Sequence, residues 1–415
     1  MGTAKNYKWE LLALLSAAFF FHQADRAIFG VVLSSIKGEL GLTDSQLGLV
    51  GTCLFVTLAV MVPVAGFLGD RFSRKWLITF SLLFWSVATT VTGAARGLVS
   101  LIFFRSIATG GGESFYAPSA YSLVAAYHKK TRSLALSIHQ AALYIGVMSS
   151  GFLAGWVAEN WGWRSAFYVF GAIGIVLGIV FIFRLRDAPQ TEGRSDAAAE
   201  TAKPGVGEAL RVLLHTPSAL LLTTGFCAIV FVNNAYVVWA PAFVQHKFNL
   251  TLTQAGGGAM FYHHAAAFVA IMVGGAITDR LVPTCPSFRL RLQGVALFLG
   301  APMIYWIGLA DGVGTTWVAM AAYGVFRGLF ETNTHASLFD VVPPRYRATA
   351  VGMMTMTAFL LGSLSPLMIG RLCDGYGKAQ GMEIGFAVLA ATYVVGAVAI
   401  FCSILFTFRR DRVIE

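Results

Sequence analysis

Charge is scarce in this chain. Lys, Arg, Asp and Glu make up only 12% of its 415 residues, while 57% are hydrophobic. A soluble protein carries about twice that charged share, so a water-solvated globular fold is excluded. Cysteine is scarcer still. The five, at 53, 227, 285, 373 and 402, show neither close pairing nor metal-ligand spacing, which leaves no disulfide framework to expect. The histidines lack a Cys/His/acid ligand pattern, so no metal site is expected either. No His-Glu-x-x-His helix, nucleophile elbow or cofactor fingerprint occurs. An enzyme and a cofactor are therefore not expected.

What fills the chain instead is a succession of apolar runs about 20 residues long. They fall at 9–34, 45–69, 76–95, 98–126, 133–158 and 165–184, then at 217–245, 252–279, 290–310, 315–341, 347–372 and 383–408. Twenty residues at about 1.5 Å each cross a bilayer core of about 30 Å. The chain reads as an all-α polytopic membrane protein with twelve spans. The first run is too long for a signal-peptide core and lacks a convincing cleavage site, so it counts as a span.

Polar sequence divides the spans into two sixes. Residues 186–215 include "RDAPQTEGRSDAAAETAKPGVGEALR", which has no run able to cross a membrane and reads as a linker, with a short surface helix near its end. The expected domains are 1–185 and 216–415. The net charge of +10 follows the membrane rather than a nucleic acid. Of 30 Lys and Arg, 21 lie on the side of the termini and six on the other, with Arg26, Arg105 and Arg327 inside spans. By the positive-inside rule both termini are cytoplasmic. A bacterial inner (plasma) membrane and a functional monomer are the expectation.

A repeat supports the two halves. Gly-x-x-x-acid closes spans 2, 5, 8 and 11 as "GFLGD" (66–70), "GWVAE" (155–159), "GAITD" (275–279) and "GRLCD" (370–374). The half-to-half offsets, 209 from 66 to 275 and 215 from 155 to 370, nearly agree. Copies three spans apart within a half end on opposite membrane faces, as an inverted repeat requires.

These residues carry a resemblance. "GFLGDRFSRKW" (66–76) is similar to the Gly-x-x-x-Asp-Arg-x-x-Arg-Lys signature of the major facilitator superfamily. The resemblance implies two pseudo-symmetric six-helix bundles working by alternating access. It also implies a gating latch at Gly66, Asp70, Arg71, Arg74 and Lys75. "HQADR" (22–26) and "GGGESFYAPSAYSL" (110–123) resemble segments of the anion:cation symporter and spinster-like families. Those families place an arginine seven residues before the glutamate of the second segment. Here Ser106 holds that position and Arg105 stands one earlier, so either Arg105 faces elsewhere or a local bulge restores the register.

Ionisable residues inside a membrane span are costly and usually mark a pathway. Asp25 and Glu113 are the candidates for proton coupling, with Arg26 setting when they titrate. Candidate substrate ligands are His22, Arg26, Arg105 and Tyr116 in the first half, and Asn233, Tyr236, His263, Arg327 and Glu331 in the second. A purely internal salt-bridge set is the structural alternative, and tight helix packing is the alternative for the glycines at 110–112. Three intramembrane arginines beside three acids suit proton-coupled symport of a small organic anion, such as a sugar acid, with the fork of Arg105 or Arg327 gripping its carboxylate. A spinster-like carrier of lysophospholipid or another amphiphile is the alternative. A channel or a membrane-embedded enzyme is the alternative of a different class. Small solute, protons and lipid are the expected partners; nucleic acid is not.

Overall fold

The computed structural model describes residues 2–69, 71–187 and 206–413. Most of the linker and the latch residue Asp70 therefore lie outside the described residues. The rest form twelve helices in two groups of six. The first six are α1 (Gly2–Val31, continued by Leu33–Leu40), α2 (Asp44–Gly69), α3 (Arg74–Thr92), α4 (98–127), α5 (Arg132–Trp161) and α6 (Trp163–Arg184). The second six are α7 (Pro217–Phe248), α8 (Leu252–Leu281), α9 (Phe288–Leu309), α10 (Val313–Glu331, continued by Thr334–Phe339), α11 (344–376) and α12 (378–411). A short helix, Val206–Leu214, ends the linker. Its Glu208 accepts a hydrogen bond from Tyr346.

Ten of these helices are long and apolar enough to cross a membrane. The two that complete the twelve, α4 and α10, occupy equivalent places in their halves and carry the buried arginines Arg105 and Arg327. Each is also broken. α4 holds a π-helical turn at Ile102–Ala108, and α10 pauses at Thr332 and Asn333. The membrane core offers no water to satisfy backbone polar groups, so such breaks persist only where neighbouring helices cover them.

The termini share one face. Tyr7, opening α1, donates to Arg184 O at the end of α6, 3.1 Å away. Asp411, ending α12, accepts from the backbone N of Ser218 at 2.9 Å. On the opposite face the halves are joined by two related caps. Glu159, last residue of "GWVAE", accepts from Thr253 N and Oγ1 at 2.8 and 2.7 Å at the start of α8. Asp374, last residue of "GRLCD", accepts from Asp44 N and Ser45 N at 3.0 and 2.9 Å at the start of α2. A carboxylate at a helix N-terminus satisfies orphan N–H groups and the helix dipole together. The glycine of each motif lets the backbones close: a Cβ at Gly155 would lie 2.6 Å from Thr253 Cα, and one at Gly370 2.3 Å from Asp44 O.

Candidate functional site

Between the halves, on the terminus side of that closure, lies a cavity of about 240 Å³. From the first half Gln23, Arg26 and Ala27 of α1, Phe55 of α2, and Leu143 and Val147 of α5 line it. From the second come Asn233 and Asn234 of α7, His264 of α8, Arg327 and Glu331 of α10 and Phe359 of α11. Its wall is mainly apolar, with charge at two points.

The first point is Arg26. Its Nε donates to Glu113 Oε2 at 2.7 Å, and its side chain is 21% exposed while that of Glu113 is fully enclosed. His22 Nε2 approaches the Glu113 carbonyl at 3.2 Å, and Gln23 Nε2 approaches His22 Nδ1 at 3.0 Å. Behind this pair a second one faces the interior of the first half. Arg105 NH1 is 3.6 Å from Asp25 Oδ1. Arg105 NH2 donates to the carbonyls of Asp25 and Arg26 at 2.9 and 3.3 Å. Thr89 Oγ1 donates to Asp25 Oδ2 at 2.5 Å. Arg105 reaches Asp25 because of the π-helical turn: its wider winding takes up one extra residue, so the eight-residue spacing to Glu113 faces inward as seven would in a regular helix. The register question raised by the sequence is answered by a bulge at 102–108.

The second point is on α10. Arg327 Nε donates to Glu331 Oε1 at 2.9 Å, and its NH1 meets His263 Nε2 at 2.8 Å. A guanidinium can only donate, so His263 Nε2 accepts and its proton sits on Nδ1. The His263 ring stacks on Tyr323 at 4.5 Å and packs beside Tyr236 at 4.6 Å. Glu331 Oε2 accepts from the Tyr144 hydroxyl of the other half at 2.9 Å.

Of the residues singled out from sequence, Arg26, Asn233, Arg327 and Glu331 line the cavity. Asp25, Glu113, Arg105, His22 and His263 form the buried layer behind it. Tyr236 spends its hydroxyl on Ala259 O at 2.7 Å. Tyr116 does not line the cavity: its hydroxyl donates to Leu15 O at 2.5 Å and its ring packs with Phe19, His22 and Trp85. The glycines at 110 and 112 pack α4 closely, and a Cβ at Gly112 would lie 2.8 Å from the Phe84 ring. Of the latch residues, Gly66 lies near the end of α2, Arg71 follows it, and Arg74 and Lys75 open α3, whose first turn is tied to Asp187 through Ser73. Sequence reasoning missed Tyr144, Glu159 and Asp374 as links between halves. The acids were visible as motif ends; Tyr144 had no signal.

A twelve-helix protein with a charged cavity between two six-helix halves, closed on one face, has the build of an alternating-access carrier. Its sequence over residues 15–366 matches the family model described as Major Facilitator Superfamily, and the chain belongs to that superfamily. It is 26% identical over 445 residues to Protein spinster homolog 1 of Xenopus tropicalis, covering 99% of this chain and 83% of that protein. It is 27% identical over 413 residues to the Probable sulfoacetate transporter SauU of Cupriavidus necator, covering 94% and 92%. Its fold is similar to the crystal structure of a bacterial homolog of the human lysosomal transporter Spinster in an inward-facing and unoccupied conformation. That match has TM-score 0.86 at 21% identity over 99% of both chains. The D-xylose–proton symporter is also similar, with TM-score 0.74 at 14% identity over 95% and 97%. The protein is thus a membrane transporter of this superfamily, related to spinster-like proteins.

Proposed function

We propose that the protein couples proton movement to symport of a small organic anion with an apolar body. The observation that carries this reading is Arg26. Among the described residues its side chain makes one hydrogen bond, through Nε to Glu113, and, partly exposed, it lines the cavity. A planar fork with its ends toward the cavity suits a carboxylate or sulfonate. Arg327 stands across the cavity, held by Glu331 and His263. The wall-lining charges sum to one positive, which an anion neutralises.

The coupling follows from burial. Glu113 is fully enclosed and paired with Arg26 at 2.7 Å. An anion that draws Arg26 toward the cavity competes with Glu113 for the same guanidinium. A buried carboxylate without its partner is costly when ionised, by several kcal/mol, so Glu113 takes a proton as the anion binds. Two ligands that each favour the other's binding travel together. Sulfoacetate, named for one relative, carries the two head groups, carboxylate and sulfonate, that this fork suits, but not the apolar body.

The aromatic and aliphatic wall formed by Phe55, Leu143, Phe226 and Phe359 also favours the second reading, an amphiphile of lysophospholipid type. Purified protein in proteoliposomes decides between them. Accumulation of a small carboxylate or sulfonate under an imposed inwardly directed proton gradient, acid outside, is expected. Glu113→Gln should abolish that accumulation and retain exchange between equal pools. Accumulation in Glu113→Gln equal to wild type would overturn the coupling assignment, and selective uptake of a lysophospholipid would favour the second reading.

A further inference from the structure

Asp25 faces away from the cavity. Successive residues of a helix turn by about 100°, so Asp25 lies about 150° round α1 from the centre of its cavity-lining residues Gln23, Arg26 and Ala27. There, between α1, α3 and α6, is a second cavity of about 10 Å³, bounded among others by Phe21, Asp25, Ser86, Thr89, Phe170 and Gly174. Two of the residues bounding it carry a buried side-chain oxygen with no hydrogen bond among the described residues, Asp25 Oδ1, whose ion-pair partner is Arg105, and Ser86 Oγ. These residues are 3% and 1% exposed. The space matches a single water molecule, which needs two or more polar partners and about this volume. A metal cation fits worse, because Arg105 NH1 stands 3.6 Å from the same Asp25 oxygen.

The compartment lies toward the closed face. Thr89 is three residues, about 4.5 Å of helical rise, from the end of α3 at Thr92. Polar groups continue from it along the seam of α3 and α6. Thr90 Oγ1 donates to Ser86 O at 2.9 Å and would lie 2.1 Å from a Cβ at Gly171. Nearer the surface, Arg164 donates to Gly93 O and Ala95 O at 2.9 and 2.7 Å and pairs with Glu39 at 2.7 Å.

We infer that this compartment is the proton port of Asp25. One water between Asp25 Oδ1 and Ser86 Oγ exchanges the proton with solvent on the face opposite the termini, by a route separate from the substrate cavity. In the step, a water O–H bond breaks as its proton bonds Asp25 Oδ1, and the water regains a proton from the next donor along the seam; release runs in reverse. The charged and titratable groups near Asp25 are Arg105 and Glu113 on α4 and His22 and Arg26 on α1. α3 presents hydroxyls, and α6 presents Phe170 and glycines. Protonation weakens the Asp25–Arg105 pair, so acidity on the closed face acts on the first half without touching substrate. The inference rests on the proton-coupled reading above.

Infrared spectroscopy of the full chain in lipid nanodiscs tests it independently of transport. The protonated-carboxyl band of Asp25, identified by its loss in Asp25→Asn, is followed after transfer to D2O. Ser86→Ala removes an atom with no hydrogen-bond partner among the described residues and keeps the rest of the side chain. It should slow the exchange by about tenfold, the scale of one hydrogen bond. Asn233→Phe, which crowds the substrate cavity, should leave the exchange rate as in wild type. Slowing by Asn233→Phe and none by Ser86→Ala would overturn the port, as would the lack of any Asp25 band at every pH where the protein stays folded. Loss of proton coupling in the transport assay with the Ser86 effect intact would count against the symport reading alone.

Discussion

Glu331 is held from both halves at once: Arg327 on its own helix donates to one carboxylate oxygen, and Tyr144 of α5 donates to the other at 2.9 Å. Tyr144→Phe keeps the ring, which packs on Phe268, and removes the bond. A hydrogen bond to a charged group contributes about 1.5–3 kcal/mol, and only the part specific to this conformation shifts the balance. The population closed on the face opposite the termini should fall, measured as spin-label distances between α5 and α8 at the terminus face. An unchanged distance distribution would show that the bond persists through the cycle.

The two caps on the closed face should act as independent locks. Glu159→Gln and Asp374→Asn keep shape but lose the charge at a helix N-terminus, a loss of about 0.3–1 kcal/mol each. Each should raise the population open on that face by about two- to fivefold, and the double variant should show the product, because the sites share no partner. Gly370→Val should do more than either, since even a Cβ there meets Asp44 O at 2.3 Å. Fluorescence energy transfer across the closed face reads all four.

Arg26 and Arg105 should separate binding from stability. Arg26→Lys retains charge and loses the fork, so substrate affinity should drop about tenfold with little change in melting temperature. Arg105→Lys should instead lower the melting temperature, because Arg105 is buried and its NH2 holds two backbone carbonyls of α1. Equal losses of affinity in both variants would place Arg105 in the binding layer. Thermal unfolding beside equilibrium binding checks the split.

At the surface, Glu39 is held below the usual carboxylate range by hydrogen bonds from Trp163 Nε1 and Arg164, both 2.7 Å long. A depressed folded-state pKa contributes stability above the unfolded value, lost as pH falls through the folded one. Thermal unfolding should therefore become easier below the ordinary carboxylate range, and Glu39→Gln should flatten that part of the profile. An identical acid limb in Glu39→Gln would assign it to other carboxylates.

Much of this was legible from residues alone, for identifiable reasons. A bilayer demands runs of a set length, so the twelve spans showed directly, although α4 and α10 were weakened by the charges that make them interesting. Positions of Asp25, Arg26, Glu113, Arg327 and Glu331 showed because charge inside an apolar run has few reasons to exist. The one-residue offset at Arg105 was visible as a conflict, but only backbone winding could resolve it.

Partners were the hidden part. The sequence by itself determined that the chain lives in a membrane, how many times it crosses, and which spans carry charge, because hydrophobic length and charge cost are properties of single segments. Tertiary structure alone decided which charges meet. It put Arg26 with Glu113 at the cavity, turned Asp25 and Arg105 toward the interior of the first half, and joined Tyr144 to Glu331 across 187 residues. It also gave the acids ending α5 and α11 a helix to cap in the opposite half. Pairings of that kind depend on how helices are rotated and apposed, and no single segment encodes the face its neighbour presents.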